Sequence, residues 1–157
     1  MKAVEYNLPQ DLNESFIVFR EKGQFFPAPW HYHEHFELVQ VTSSTGRRMV
    51  GDHIGFYDKH DLVFLGSNLP HVWVSDPEYF EGTADQVADA VVIHFKLNFL
   101  GPNLTDIPEL NGLNKIIQDS ARGIVIKGKT RSEINRLMKE MLHHNGIERL
   151  KNLFAIF

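Results

Sequence analysis

The sequence predicts a mainly β domain, a sandwich or a barrel, followed by a helical segment. Between residues 15 and 95 it contains several short stretches rich in β-branched and aromatic residues, separated by turn signals. This spacing is typical of all-β sandwiches and barrels. After residue 104 the apolar residues recur at three- and four-residue intervals, as they do in amphipathic helices. A chain of 157 residues suits one domain.

The predicted strands fill the first two thirds of the chain. In order they are SFIVFR (15–20), FELVQVT (36–42), RRMVGDHI (47–54), DLVFLG (61–66), HVWVS (71–75) and DAVVIHF (89–95). Turn signals at 43–46 (SSTG) and 66–70 (GSNLP) separate some of them. The polar stretch 76–86 is expected to form a long surface loop. Arg47 and Arg48 are expected to lie at a solvated strand edge.

Three helical patterns follow the predicted strands. The first is expected over residues 107–122, with Gly123 as its stop signal, and GIVIKG then forms a strand or an extended link. The second is expected to begin at Thr130, because Thr130 and Glu133 form a capping-box pattern, and to end near Asn145. The apolar stripes are Leu110, Leu113, Ile116 and Ile117; Ile134, Leu137, Met138, Met141 and Leu142; and Ile147, Leu150, Leu153, Phe154 and Phe157.

These patterns divide the chain into a barrel over residues 1–104 and a helical region over 105–157. The chain ends on Phe157, on the apolar face of its last helix, without a glycine, a proline or a polar tail. Such an ending is typical of a chain that continues. We therefore expect the chain to continue beyond it.

Composition narrows the class of protein. The net charge is −4 and there is no long basic run, so this segment is not expected to bind DNA by itself. The absence of cysteine excludes disulfides and thiolate zinc sites. No stretch approaches the roughly 20 apolar residues of a membrane span, and the N-terminus lacks an apolar signal core. A cytoplasmic protein without membrane contact is expected.

The stretch WHYHEHFEL, residues 30–38, contains several metal-ligating side chains. In an extended strand His31, His33, His35 and Glu37 share one face, unless a bulge breaks the register. Imidazole nitrogens and a carboxylate suit Zn, Ni, Fe or Mn. The pattern therefore indicates a metal site, or a polar lining whose members bond one another.

This stretch, together with GDHIGFYDKHDLVFLGSNLPHVWVSD and VVIHFKLNFLG, resembles the N-terminal cupin domain of AraC-type transcription regulators. SARGIVIKGKT and GIERLKNLF resemble the helical region that links that domain to the DNA-binding half. His31, His33 and Glu37 match the first cupin motif, and the Pro-His pair places His71 at the histidine of the second. The resemblance covers the chain from about residue 15 and implies a cupin-like double-stranded β-helix, or jelly-roll barrel.

The resemblance implies a function as well. The chain would be the ligand-sensing and dimerisation domain of a bacterial regulator, not an enzyme. It would bind a small-molecule effector, with a sugar as one candidate, and would control a helix-turn-helix domain absent from this chain. No cofactor is required; a divalent metal on the three-His, one-Glu set of His31, His33, Glu37 and His71 is the open alternative.

The expected ligand-binding residues are His31, His33, Glu37, His71, Trp73 and His94. His35 is expected at the rim of the site. For His94 the alternative to ligand contact is a place in the apolar core. The homodimer interface is expected at Leu150, Leu153 and Phe154, although packing of these residues within the chain is an equal alternative.

A small metal-dependent cupin enzyme, a dioxygenase or a sugar isomerase, is the main alternative function. Several departures from the cupin pattern weaken any transfer of enzymatic chemistry. Ser44, with Gly46 two positions later, stands where glycine is common, His60 replaces a glycine, and Ser75 stands where enzymes often have asparagine. The sequence also places no evident second carboxylate or tyrosine as an acid-base partner. A pure oligomerisation scaffold is disfavoured, because its filled barrel would bury unpaired polar groups.

Overall fold

The computed structural model describes residues 2–8, 14–85, 87–99, 101 and 106–157. The strands are β1 (Val4–Glu5), β2 (Phe16–Gly23), β3 (His31–Tyr32), β4 (Phe36–Ser43), β5 (Gly46–Val50), β6 (His53–Tyr57), β7 (Leu62–Leu65), β8 (His71–Ser75), β9 (Ala88–Phe95) and β10 (Ile124–Val125). The helices are α1 (Pro77–Glu81), α2 (Asn111–Ser120), α3 (Gly128–Met141) and α4 (Gly146–Ile156), with a 3-10 turn at Pro108–Leu110.

The strands form two five-stranded sheets that pack face to face. The first sheet has the order β1-β3-β8-β5-β6 and the second β10-β7-β4-β9-β2. Every pairing is antiparallel except that of β1 with β3. Consecutive strands often lie in different sheets, which is the connectivity of a jelly roll. The predicted fold class, a cupin-like barrel followed by helices, is confirmed.

Strand alternation builds two cores on opposite faces of the second sheet. In β4, Val39 and Val41 point between the sheets, where they pack with Trp73 and other inward residues. Phe36 and Leu38 of the same strand point outward and pack against α3 and α4. Because successive side chains of a strand face opposite ways, Glu37 points into the barrel.

Two of the strand and loop predictions need correction. The stretch 47–54 is not one strand, because Gly51 adopts a positive φ of 56° and turns the chain between β5 and β6. The predicted loop 76–86 contains the short helix α1, which has a proline in its first turn and buries Tyr79. Residue 86 of that loop lies outside the described residues.

The predicted helix boundaries shift in the structure. The first helix is shorter than 107–122, since a 3-10 turn precedes α2. Helix α3 begins before Thr130, its N-cap residue is Lys127, and no side chain caps it. The earlier start follows from the sheet, because the Ile126 amide still donates to the Leu62 carbonyl and the chain turns immediately after it. Helix α3 ends at Met141, before the predicted end near residue 145.

The expected boundary between residues 104 and 105 lies outside the described residues. The barrel and the helical region are not fully separate along the chain, however. Strand β10, which follows the first of the C-terminal helices, pairs with β7 and extends the second sheet. The described helices include none long and apolar enough to cross a membrane.

Leu153 belongs to the core of this chain, so its assignment to a dimer interface is wrong. It is 1% exposed and lies in the cluster between the second sheet and the helices. Leu150 is partly buried against the same cluster. Phe154 is also partly buried, and its ring lies 6.2 Å from that of Phe99. The stripe of α4 is therefore used largely for packing within the chain.

Gly46 permits a close approach between β5 and β8. A Cβ at this position would lie 2.1 Å from the Val74 carbonyl oxygen and 2.9 Å from the Ser75 Cα. Because these are backbone atoms, they cannot move aside cheaply, and we expect Gly46→Ala to lower the free energy of unfolding by about 2–3 kcal/mol. Urea denaturation followed by circular dichroism measures this loss.

The matched control for this prediction is Gly112→Ala in α2. Nothing lies within 4 Å of the added Cβ there, and alanine is favoured over glycine inside a helix by up to about 1 kcal/mol. Equal stability of the Gly46→Ala variant and the wild type would contradict the close approach of β5 to β8.

Candidate ligand and metal site

A cavity of about 210 Å³ lies between the two sheets. Its polar floor is formed by His31, Glu37, His71 and His94. Its walls are largely apolar, with Phe19, Phe26, Val39, Trp73 and Val92 among them. A small concave site with apolar walls and a few convergent polar groups is the usual form of a ligand pocket.

The Glu37 carboxylate is the centre of the polar floor. His33 Nε2 lies 2.7 Å from Glu37 Oε2, within hydrogen-bond geometry. The Nε2 atoms of His71 and His94 lie 3.1 and 3.3 Å from the same oxygen. His94 is there because it is the partner of Glu37 across the β4–β9 pair. All four side chains are buried, and one carboxylate oxygen thus faces three imidazoles.

Backbone carbonyls fix the orientation of three of the rings. Nδ1 of His31 donates to the Pro29 carbonyl at 2.7 Å, that of His33 to the His35 carbonyl at 3.1 Å, and that of His71 to the Leu69 carbonyl at 2.8 Å. A carbonyl only accepts, so each Nδ1 carries a proton. In the neutral ring the lone pair is then on Nε2, which is the arrangement that holds metal-ligating histidines in place.

The donor set fits a divalent metal. Ligand atoms of His31, His33 and His71 lie within 4.8 Å of one another, and so do those of His33, Glu37 and His94. Imidazole nitrogens with one carboxylate suit Zn, Ni, Fe or Mn. Without a cation, His33 needs a second proton on Nε2 to donate to an ionised Glu37. The site therefore holds either an extra proton or a metal ion.

The electrostatics of the floor favour an ionised carboxylate. Burial acts to raise the pKa of Glu37, but the charges of His71 and His94 and the hydrogen bond from His33 outweigh it and hold that pKa well below its usual value. Burial acts to lower the pKa of His71, yet the neighbouring Glu37 raises it above the usual value. Burial and the nearby His71 lower the pKa of His31.

The structure brings together most of the side chains that the sequence singled out. His31, His33, Glu37, His71 and His94 meet at the floor, and Trp73 forms part of the wall. His31 and Glu37 do not lie in one extended strand, because β3 ends at Tyr32 and β4 begins at Phe36.

His35 lies at the rim, as expected. It is partly exposed and lines a separate groove with Glu34 and Asn68. Burial and the charge of Lys96 lower the pKa of His35 to about 4. Its ring is therefore neutral at physiological pH and adds no charge to the floor.

Several wall residues were missed from the sequence. Phe19 and Glu21 come from β2, where alternation puts them on one face, opposite Val92 and Ala90 of β9. Tyr6, just after β1, also lines the cavity. The alternation was visible in the sequence, but the pairing of β2 with β9 was not.

Arg48 does not lie at the solvated strand edge that the sequence predicted. It is 5% exposed rather than solvated, and its guanidinium forms an ion pair with Asp61. Its position in β5 explains this, because Arg48 has the same parity as Val50, which packs between the sheets. Arg47 is exposed, as expected, and its guanidinium lies over the Phe56 ring.

Comparison with known proteins supports the fold. No family model matches the chain and no curated protein matches it. Apo ToxT K231A from Vibrio cholerae aligns with a TM-score of 0.60 and 11% identity, over 94% of this chain and 55% of that one. ToxT bound to (E)-4-(8-methylnaphthalen-1-yl)but-3-enoic acid aligns with a TM-score of 0.53 and 11% identity, over 91% and 54%.

A cupin 2 conserved barrel domain protein from Salinispora arenicola aligns with a TM-score of 0.44 and 13% identity, over 59% of this chain and 74% of that one. The chain spans about half the length of the ToxT structures. At these identities the ToxT alignments establish a shared fold, which includes both the barrel and the helices.

Proposed function

We propose that this chain is the ligand-sensing half of a cytoplasmic AraC-type transcription regulator. The observation that carries the proposal is the cavity with a buried polar floor inside a barrel whose helices pack on the cavity's own wall. ToxT, an AraC-family regulator, shares this fold, and one ToxT structure holds a small organic acid. A small molecule in the cavity would control a DNA-binding domain that this chain does not contain.

The second sheet supplies a route from ligand to helices. Glu37, Val39 and Val92 face the cavity, while Leu38 and Ile93 of the same two strands pack into the helical core. A ligand that binds one arrangement of this sheet more tightly would shift the packing of α3 and α4, because it can move an equilibrium only by its differential affinity.

The proposed regulator acts as a homodimer. Since Leu153 packs in the core, the proposed interface on α4 would use the accessible parts of Leu150 and Phe154.

The regulator proposal predicts a division of labour in DNA binding. Full-length protein should bind DNA selected from its own genome, and residues 1–157 alone should not. Filling the cavity by Ala90→Leu should abolish any ligand effect on DNA affinity while leaving ligand-free DNA binding intact, because Ala90 lines the cavity and is 2% exposed. Fluorescence anisotropy with labelled DNA measures both.

The matched control is Ala121→Leu at an exposed position after α2, which should keep the ligand response. Specific DNA binding by residues 1–157 would refute the division of labour. A full ligand response in the Ala90→Leu variant would refute sensing through the cavity.

A metal-dependent cupin enzyme, such as a dioxygenase or a sugar isomerase, is the second candidate function. The orientation of His31, His33 and His71 favours it. The structure also removes one objection, because a second carboxylate, Glu21, and a tyrosine, Tyr6, do line the cavity. A metal held by these histidines and Glu37 would act as a Lewis acid on a bound oxygen.

A further inference from the structure

Apart from the imidazoles of the floor, the charged side chains among the described residues that line the cavity are carboxylates. Its described lining contains two carboxylates, Glu21 and Glu37, and neither lysine nor arginine. The Glu37 carboxylate is already surrounded by the imidazoles of His33, His71 and His94. Glu21 is therefore the carboxylate left to face a ligand.

Glu21 has no ion-pair partner among the described residues. The cations next to it in β2 are Arg20 and Lys22, which alternation places on the other face of the strand. Arg20 is paired there with Asp89. Glu21 lies opposite Ala90 in the register with β9, and the small alanine side chain leaves space in front of it.

Aromatic rings form much of the wall around this carboxylate. Phe19 precedes Glu21 on the same strand face, and Phe26, Trp73 and Tyr6 line the same cavity. The faces of aromatic rings carry negative charge density and attract organic cations, an effect that strengthens when the cation is removed from water. Aromatic rings and an unpaired carboxylate in one cavity make a favourable environment for an ammonium group.

We propose that the cavity binds a small organic ammonium compound. Its cationic nitrogen pairs with Glu21, and its apolar body lies against Phe19, Phe26 and Trp73. The proposal rests on the effector-sensing function and names the ligand class. The volume of 210 Å³ limits the ligand to about one ring with a short chain, because it is below the roughly 300–1,000 Å³ of sites for drug-sized molecules.

The same groups disfavour an acid such as the one bound by ToxT. A carboxylate placed beside Glu21 would face that like charge without a lysine or arginine among the described lining residues. Like charges brought together in a partly desolvated site repel one another. The two proteins thus share a fold but are expected to differ in the charge of the ligand.

Isothermal titration calorimetry with three matched probes, in the presence of EDTA to remove any metal ion from the floor, tests the ligand class. The probes are 2-phenylethylamine, 2-phenylethanol and 3-phenylpropanoate, which share a benzene ring and a two-carbon chain and differ in charge. We expect the amine to bind about tenfold more tightly than the alcohol and the carboxylate to bind most weakly. Glu21→Gln should weaken amine binding about tenfold and leave alcohol binding unchanged.

Glu109→Gln is the control variant, because Glu109 is exposed in the 3-10 turn and its change should leave all three affinities unaltered. Tighter binding of the carboxylate, equal binding of amine and alcohol, or no binding of any probe by folded wild-type protein would each overturn the ammonium proposal. The regulator proposal is judged separately, by the loss of the ligand response in the Ala90→Leu variant of the full-length protein.

Discussion

Replacing Leu153 with Asp is expected to destabilise the domain by about 4 kcal/mol or more, because it removes a core leucine and buries an uncompensated charge. Leu153 is 1% exposed and lies in one cluster with Met138, Met141 and Phe95. An aspartate there would lie among the apolar side chains of that cluster. A loss of this size is comparable to the whole stability of many domains, so the variant is expected to be largely unfolded.

Ile147→Asp on the same helix is the matched control. Ile147 is 66% exposed, and surface changes usually alter the free energy of unfolding by no more than about 0.5 kcal/mol. Urea denaturation, with light scattering on the same samples, separates unfolding from dissociation. Leu153→Ala, which should cost about 3 kcal/mol, gives a measurable value where the aspartate variant does not fold. If the wild type is a dimer and the Leu153→Asp variant is a folded monomer, the core assignment is contradicted and Leu153 lies in the dimer interface.

Leu153 also shows where a sequence pattern stops being informative. Its spacing with Leu150 and Phe154 correctly predicted an amphipathic helix, because the 3.6-residue period is a local property. The pattern does not say whether the apolar face meets the same chain or another one. That choice depends on the exposed face of the second sheet, where Phe36 and Leu38 need covering.

The same distinction explains the candidate site. His31, His33, Glu37 and His71 could be predicted, since a cupin-like motif specifies their relative positions. Glu21 could not, because its contact with the cavity depends on the pairing of β2 with β9, which are far apart in the chain. Arg48 was missed for a related reason, since its partly buried partner Asp61 lies beyond the β5–β6 hairpin.

Local signals failed where tertiary contacts opposed them. Thr130 and Glu133 form a good capping pattern, yet α3 begins before Thr130 because β10 ends its pairing with β7 just ahead of it. A cap contributes about 1 kcal/mol, which is less than the packing of the helix can supply. The helix itself, with Ile134 and Met138 buried, was predicted correctly.

Protein purified without a histidine tag is expected to contain about one divalent metal ion per chain, and His33→Ala is expected to lose it. His33 contributes to both overlapping ligand groups, the one with His31 and His71 and the one with Glu37 and His94. Its removal should therefore weaken metal binding by at least about 100-fold, since even residues that only orient the ligands contribute about 10–100-fold. Elemental analysis gives the metal content and the identity of the metal.

His53→Ala is the control, because His53 is exposed in β6 and belongs to neither ligand group. If the control keeps its metal and a folded His33→Ala variant loses it, the histidines and Glu37 form a metal site. Circular dichroism shows whether that variant is folded. Assays for turnover by the metal-loaded protein would then distinguish an enzyme from a sensor. A folded, metal-free wild type would contradict the prediction. The extra proton that His33 needs to donate to Glu37 would then hold the floor together, and Glu37→Gln should destabilise that protein by removing the charge that the surrounding imidazoles face.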